Sequence, residues 1–193
     1  MNIKAAIFDM DGTLVDSLMI WDGLWSDFGK QFLNDDGFRP NEIDDKKVRT
    51  LTLKDAMQLI HDNYKIGNSG AELLEVANHL MIEFYSKKVQ LKEGVKTFLD
   101  YCYNNGTKMC IASATAPELI KIALKHCGIE KYFLKIFSCG ELGVGKEKPE
   151  VFLLAQEFLG TEDNETWVFE DSLVAIETAT KLGFHTVGIF DRY

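Results

Sequence analysis

The stretch that decides the fold is Ile3–Leu14, which reads Ile-Lys-Ala-Ala-Ile-Phe-Asp-Met-Asp-Gly-Thr-Leu. A short apolar run is followed at once by two carboxylates, Asp9 and Asp11. Because an unpaired carboxylate is costly to bury, such residues belong at the open end of a strand beside a cation. Ligands of parallel α/β sheets bind at the carboxyl ends of the strands. We therefore expect a strand over residues 3–8 that delivers both acids to a binding site.

The rest of the chain alternates apolar runs with helical patterns. Runs at 107–112, 166–169 and 184–190 predict further strands, and 132–137 predicts a fifth. Each helical pattern between them ends next to a glycine, the residue that a left-handed helix C-cap favours. These patterns are Glu93–Asn105, Ala116–Cys127, Pro149–Leu159 and Ser172–Leu182. The alternation predicts an α/β fold in which helices cover both faces of a parallel sheet.

Residues 16–90 break this alternation, because they contain helical patterns and no clear strand. The connections between these patterns are polar and rich in turn-forming residues. We therefore expect an α/β core formed by residues 1–15 and 91–193, and an inserted α-helical cap formed by residues 16–90 over the carboxyl edge of the sheet. The helical patterns are Leu18–Leu33, Thr52–Tyr64 and Ser69–Lys88.

Composition limits the partners that we expect. The net charge of −9 and the pI of about 4.9 disfavour nucleic acid or an anionic membrane as a partner. No run of eighteen apolar residues occurs, so we expect no membrane span. The four cysteines show neither a CxxC pair nor zinc-binding spacing, which predicts reduced thiols and a cytoplasmic protein.

The segment Asp9-Met10-Asp11-Gly12-Thr13 after an apolar strand resembles motif I of the haloacid dehalogenase-like hydrolase superfamily. The resemblance covers nearly the whole chain. It implies a doubly wound, Rossmann-like core with an α-helical cap, and a phosphatase that works through an aspartyl-phosphate intermediate. By this resemblance Asp9 is the nucleophile, and Asp11 protonates the leaving oxygen and then activates water. The hydroxyl of Thr13 can bind an oxyanion of the substrate.

A second acidic pair, Glu170-Asp171, follows another apolar run and resembles motif IV of the superfamily. Oxygen ligands suit magnesium, which takes one or two carboxylates together with waters and substrate phosphate. The resemblance implies Mg²⁺ ligands from Asp9, from the backbone carbonyl of Asp11 and from Asp171, with Glu170 bound directly or through water. Taken alone, the pair also suits a helix N-terminus, where acids interact favourably with the macrodipole.

A phosphoryl site is predicted at Ser113, which ends one apolar run and precedes a helical pattern. A hydroxyl and free backbone N–H groups at a helix N-terminus can hold an anion. Taken alone, a serine in this place is also a common N-cap. Motif II of the superfamily has Ser or Thr here, which implies that Ser113 and the N–H of Ala114 hold the transferring phosphoryl group.

The motif III lysine has two candidates in the segment 145–152, which reads Gly-Lys-Glu-Lys-Pro-Glu-Val-Phe. This lysine balances the charge of phosphate and carboxylates. In the superfamily it often lies six residues before a phenylalanine, and counting back from Phe152 selects Lys146. A simple Lys-Pro match selects Lys148 instead. We favour Lys146.

These motifs predict a Mg²⁺-dependent phosphatase of a small phosphorylated metabolite, a monomer or weak dimer. A β-phosphoglucomutase-like mutase is an alternative. That enzyme carries a histidine soon after motif I, whereas residues 16–22 contain none, which favours hydrolysis. An inactive phosphate-binding regulatory module is a further alternative, although a binder needs no Asp11. Arg49, in the basic cluster 46–49 of the cap, is a candidate for substrate contact, but charge runs are usually solvated.

Overall fold

The computed structural model describes residues 3–49 and 51–193. Met1, Asn2 and Thr50, which we assigned to the core and to the cap, lie outside the described residues. The chain forms two compact units, of which one ends at Leu18 and resumes at Tyr85, and the other runs from Met19 to Phe84. The limits of core and cap that the sequence predicts, after residues 15 and 90, stay a prediction. The capping role of the helical unit stays a prediction.

The first unit is built on a parallel sheet of five strands in the order β5-β4-β1-β6-β7. The central strand β1 is buried along its whole length, and its Ile7 pairs with Cys110 on one side and Val168 on the other. Since all five strands run in one direction, their carboxyl ends meet at one edge of the sheet. The strands are β1 (Ala5–Phe8), β4 (Lys108–Ser113), β5 (Ile136–Ser138), β6 (Thr166–Glu170) and β7 (His185–Gly188).

Helices cover both faces of this sheet, which confirms the predicted doubly wound α/β fold. On one face Ile7 belongs to a core that contains Phe152 and Ala175, from two of the later helices. On the other face Phe8 packs against Phe98 of a further helix, with ring centroids 6.3 Å apart. The helices of this unit are α5 (Val95–Asn104), α6 (Pro117–His126), α7 (Cys139–Leu142), α8 (Glu150–Leu159) and α9 (Leu173–Lys181).

Four of these helices stop where the glycines predicted. Gly106, Gly128, Gly160 and Gly183 all have positive φ, between 66° and 85°, which a residue without Cβ adopts at little cost. Strand β5 departs from the prediction over 132–137, because Tyr132 lies in a 3₁₀ turn and the strand begins only at Ile136. A two-stranded ladder of β2 (Val15–Asp16) and β3 (Gln90–Leu91) was not predicted, since two residues give no periodicity.

The second unit is helical, as the sequence indicates. Its helices are α1 (Ile20–Phe28), α2 (Glu42–Val48), α3 (Leu53–Tyr64) and most of α4 (Gly70–Lys87), and α1 continues into a π-helix at Gly29–Leu33. Helix α2 falls in a connection that we read as a polar loop, because among its seven residues only Val48 is buried. Among the described residues, no helix has the length and apolarity needed to cross a membrane.

Candidate active site

The site is centred on Asp9, which follows β1 at the carboxyl edge of the sheet. Its backbone N–H donates to the carbonyl of Phe169 at 3.0 Å, so the β1–β6 pairing continues as far as the acid. Its carboxylate is buried and accepts a hydrogen bond from Lys146 Nζ at 2.5 Å. Burial raises the pKa of Asp9 well above its ordinary value, and the ammonium of Lys146 opposes that rise. A cation beside Asp9 therefore favours the charged form of this buried carboxylate.

Lys146 joins two carboxylates of different strands. Its Nζ donates to Asp9 Oδ1 at 2.5 Å and to Glu170 Oε1 at 2.6 Å, and its side chain is only 11% exposed. Lys148, the other candidate for motif III, is exposed. Both lysines lie in the turn before α8, which begins just after Pro149. This turn directs Lys146 inward and leaves Lys148 at the surface.

Glu170 ends β6 and is almost fully buried, at 2% exposure. Its Oε2 accepts hydrogen bonds from the backbone N–H groups of Asp171 and Ser172, at 2.7 and 2.9 Å, just before α9 begins. With Oε1 on Lys146, both oxygens of Glu170 already have protein partners. Glu170 therefore fixes the turn before α9 and anchors the lysine, and it has less capacity for a metal than its neighbours.

Asp171 comes close to the turn that follows the first strand. Its Oδ1 accepts a hydrogen bond from the Thr13 hydroxyl at 3.1 Å. Gly12 has φ of +78°, and a Cβ added there would stand 2.5 Å from Asp171 Oδ2. Glycine is thus required for its backbone conformation and for the approach of the carboxylate. Because Thr13 is bound to Asp171 here, the oxyanion role predicted for Thr13 stays a prediction.

Three of these carboxylates could hold a metal ion. One oxygen each from Asp9, Glu170 and Asp171 lies within 4.8 Å of the others. Burial and the charge of Glu170 raise the pKa of Asp171 to about 6. Three carboxylates beside the single ammonium of Lys146 leave two formal negative charges, so this donor set fits a divalent cation that prefers oxygen ligands.

Asp11 lies in the turn after β1 and is held by three hydroxyl groups. Its Oδ1 accepts from Ser17 Oγ and from the Tyr85 hydroxyl, both at 2.6 Å, and its Oδ2 accepts from Thr115 Oγ1 at 2.6 Å. Burial, and then the charge of Asp11, raise the pKa of the Tyr85 phenol well above its ordinary value, so it remains a donor. None of these three donors was predicted from the sequence.

Ser113 ends β4 in a buried position, three residues before Ala116, the N-cap of α6, and Ala114 follows it. Its Oγ accepts the backbone N–H of Thr115 at 3.2 Å, and its hydroxyl hydrogen has no acceptor among the described residues.

Arg49 lies in the helical unit, where it pairs with Asp45 at 3.0 Å and with Asp22 at 3.6 Å. The structure thus brings Lys146 together with the carboxylates of Asp9, Glu170 and Asp171. The substrate contact of Arg49 stays a prediction.

Comparisons with known proteins identify the family of this chain and agree with its fold. The model of the haloacid dehalogenase-like hydrolase family matches residues 6–189, so the chain belongs to that family. The chain is accordingly an enzyme, a hydrolase. None of the four cysteines forms a disulfide bond.

Three proteins illustrate the similarity. The phosphorylated carbohydrates phosphatase of Thermotoga maritima is 23% identical over 185 residues, which are 96% of this chain and 84% of that protein. Hexitol phosphatase B of Escherichia coli is 29% identical over 177 residues, with 89% and 77% covered. The crystal structure of CbbY from Rhodobacter sphaeroides in complex with phosphate has a TM-score of 0.78 at 19% identity and covers 95% of this chain and 84% of its own. At that identity the structural match speaks for the fold alone.

Proposed function

We propose that this enzyme is a Mg²⁺-dependent phosphatase that hydrolyses a small phosphorylated carbohydrate through an aspartyl-phosphate on Asp9. Its class, phosphoric monoester hydrolase, is supported by the family and by relatives that are named as phosphatases. The observation that carries the proposal is the buried Asp9 carboxylate, which lies at the end of the central strand with Lys146 as its cation and Glu170 and Asp171 beside it.

The first step would form the Asp9–phosphorus bond while the bond from phosphorus to the leaving oxygen breaks. Asp11 would give its proton to that oxygen and release the alcohol. In the second step water would attack phosphorus, its proton would pass to Asp11, and the Asp9–phosphorus bond would break to yield inorganic phosphate. A carboxylate nucleophile thus divides one difficult displacement into two easier ones. One acid–base group serves both steps.

The other residues would bind the phosphoryl group and its charge. Ser113 has a hydroxyl hydrogen without an acceptor among the described residues, and the N–H of Ala114 follows it, so both can donate to phosphoryl oxygens. Lys146 would stabilise the negative charge that develops during transfer.

Mg²⁺ would be held by Asp9, Asp171 and the backbone carbonyl of Asp11, with Glu170 through water because both of its oxygens have partners. Bound there, the ion would neutralise charge on the phosphoryl oxygens. The two uncompensated negative charges of the carboxylate cluster support this proposal.

The substrate class is proposed from the two phosphatases, which are named for phosphorylated carbohydrates and for hexitol. We also propose that residues 16–90 cap the site, that Arg49 contacts the substrate, and that the enzyme acts in the cytoplasm as a monomer or weak dimer. Neither the mutase nor the inactive-module alternative is favoured, because these relatives are named as phosphatases.

A phosphate-release assay tests this proposal. The purified enzyme is offered hexose, pentose and hexitol phosphates, nucleoside monophosphates and an aryl phosphate, each with Mg²⁺ and with EDTA. We expect phosphate release from at least one carbohydrate phosphate, and loss of that release when EDTA removes the metal. No release from the whole panel with Mg²⁺ present would refute the function, and full activity in EDTA would refute the metal dependence.

A further inference from the structure

The carboxylate of Asp11 is held unequally at its two oxygens. Two hydroxyls, from Ser17 and Tyr85, donate to Oδ1, whereas Oδ2 receives only Thr115 among the described residues. Each carboxylate oxygen accepts about two hydrogen bonds. The acceptor sites of Oδ1 are therefore filled by protein groups, and Oδ2 keeps one site for a proton or a substrate group.

Both donors to Oδ1 are buried, Tyr85 at 4% exposure and Ser17 at 1%. Ser17 is a near neighbour of Asp11 in the chain, whereas Tyr85 lies near the end of α4 and ties the carboxylate to that helix. A buried phenol that donates to a carboxylate therefore defines the orientation of that carboxylate.

We propose that Tyr85 is a positioning residue for Asp11, which holds Oδ1 together with Ser17 and so makes Oδ2 the oxygen that exchanges the catalytic proton. The inference rests on the proposed phosphatase function. In the first step the proton would leave Oδ2 for the leaving oxygen as the phosphorus–oxygen bond breaks. In the second step Oδ2 would take the proton of the attacking water. Tyr85 itself neither gains nor loses a proton.

The test uses the leaving group of the substrate, since a good leaving group needs no proton. The value of kcat/KM is measured for an alkyl phosphate such as sorbitol 6-phosphate and for 2,4-dinitrophenyl phosphate, with wild type and Tyr85→Phe. For each ester, kcat/KM reports the steps up to formation of the aspartyl-phosphate. Tyr132→Phe is the matched control, because Tyr132 is also a buried tyrosine, and its hydroxyl donates to Asp100 outside the site.

We expect Tyr85→Phe to lower kcat/KM for the alkyl phosphate about tenfold, a part of the roughly 10²–10⁴ that a positioned acid supplies. The dinitrophenyl ester should change less than about twofold, because its leaving group needs no acid. Tyr132→Phe should leave both values unchanged. An equal loss for the two esters, or no loss for the alkyl ester, would overturn the proposal.

Two further comparisons keep the result decisive. If Tyr85→Phe does not fold, Ser17→Ala removes the other donor to Oδ1 with a smaller change, and the same selective loss is expected. Equal losses or none with Ser17→Ala would then overturn the proposal. A wild-type enzyme that releases phosphate from neither ester nor from any other member of the panel with Mg²⁺ present refutes the phosphatase function itself, which separates that failure from a failure of the positioning role.

Discussion

Replacing Lys146 by alanine removes the one cation that contacts both Asp9 and Glu170 among the described residues. The ammonium lies 2.5 Å from one carboxylate and 2.6 Å from the other, and its side chain is only 11% exposed. Loss of one partner from a buried ion pair costs about 3–5 kcal/mol of folding free energy, because an uncompensated charge remains. The loss of a group that stabilises transition-state charge costs about 3 kcal/mol, or on the order of 10² in rate.

The matched control is Lys148→Ala, two residues away in the same turn. Lys148 is exposed, so its removal should change stability by no more than about 0.5 kcal/mol and leave turnover near wild type. Urea unfolding gives the stability difference, and phosphate release from one substrate gives kcat. A crippled Lys148→Ala enzyme beside a healthy Lys146→Ala enzyme would refute our assignment and shift the motif by two residues.

Three other variants test further parts of the site. Asp11→Asn should leave inhibition by inorganic phosphate nearly unchanged and lower kcat by roughly 10²–10⁴, because only the acid–base group is lost; wild-type kcat would count against its role. Gly12→Ala should cost about 1–2 kcal/mol for a left-handed alanine and also lower kcat, since its Cβ would stand 2.5 Å from Asp171 Oδ2. Gly94→Ala is the control, because Gly94 has φ of +81° and no described atom lies within 4 Å of an added Cβ. Equal kcat in the two alanine variants would mean that the approach of Asp171 is unimportant.

The central strands of the sheet were predictable because they are buried on both faces. Such strands appear in the sequence as continuous apolar runs: β1 lies within its predicted run, and β6 extends one residue beyond its own, to Glu170. The helix ends were also predictable, because a glycine with a left-handed conformation follows each of four helices. Helix α2 escaped prediction because only Val48 among its seven residues is buried, so its sequence shows no apolar periodicity.

The candidate site also contains residues that the sequence predicts and residues that only the tertiary fold reveals. The acids follow apolar runs, and Lys146 lies six residues before Phe152, so both were predictable from the sequence. The partners of Asp11 come from positions as far along the chain as Tyr85 and Thr115, and only the tertiary fold brings their hydroxyls to one carboxylate. A buried tyrosine on an amphipathic helix gives no sign in the sequence that its hydroxyl meets an acid.

The central claim is that Asp9 carries the phosphoryl group, and rapid-quench mass spectrometry tests it most directly. Wild-type enzyme is mixed with excess substrate and Mg²⁺, quenched in acid within milliseconds, and digested for peptide analysis, with Asp9→Asn as the control. We predict a transient phosphate adduct on Asp9 in the wild type, and neither adduct nor turnover in Asp9→Asn. Near-native turnover by Asp9→Asn, or an adduct that maps to another residue, would contradict the account.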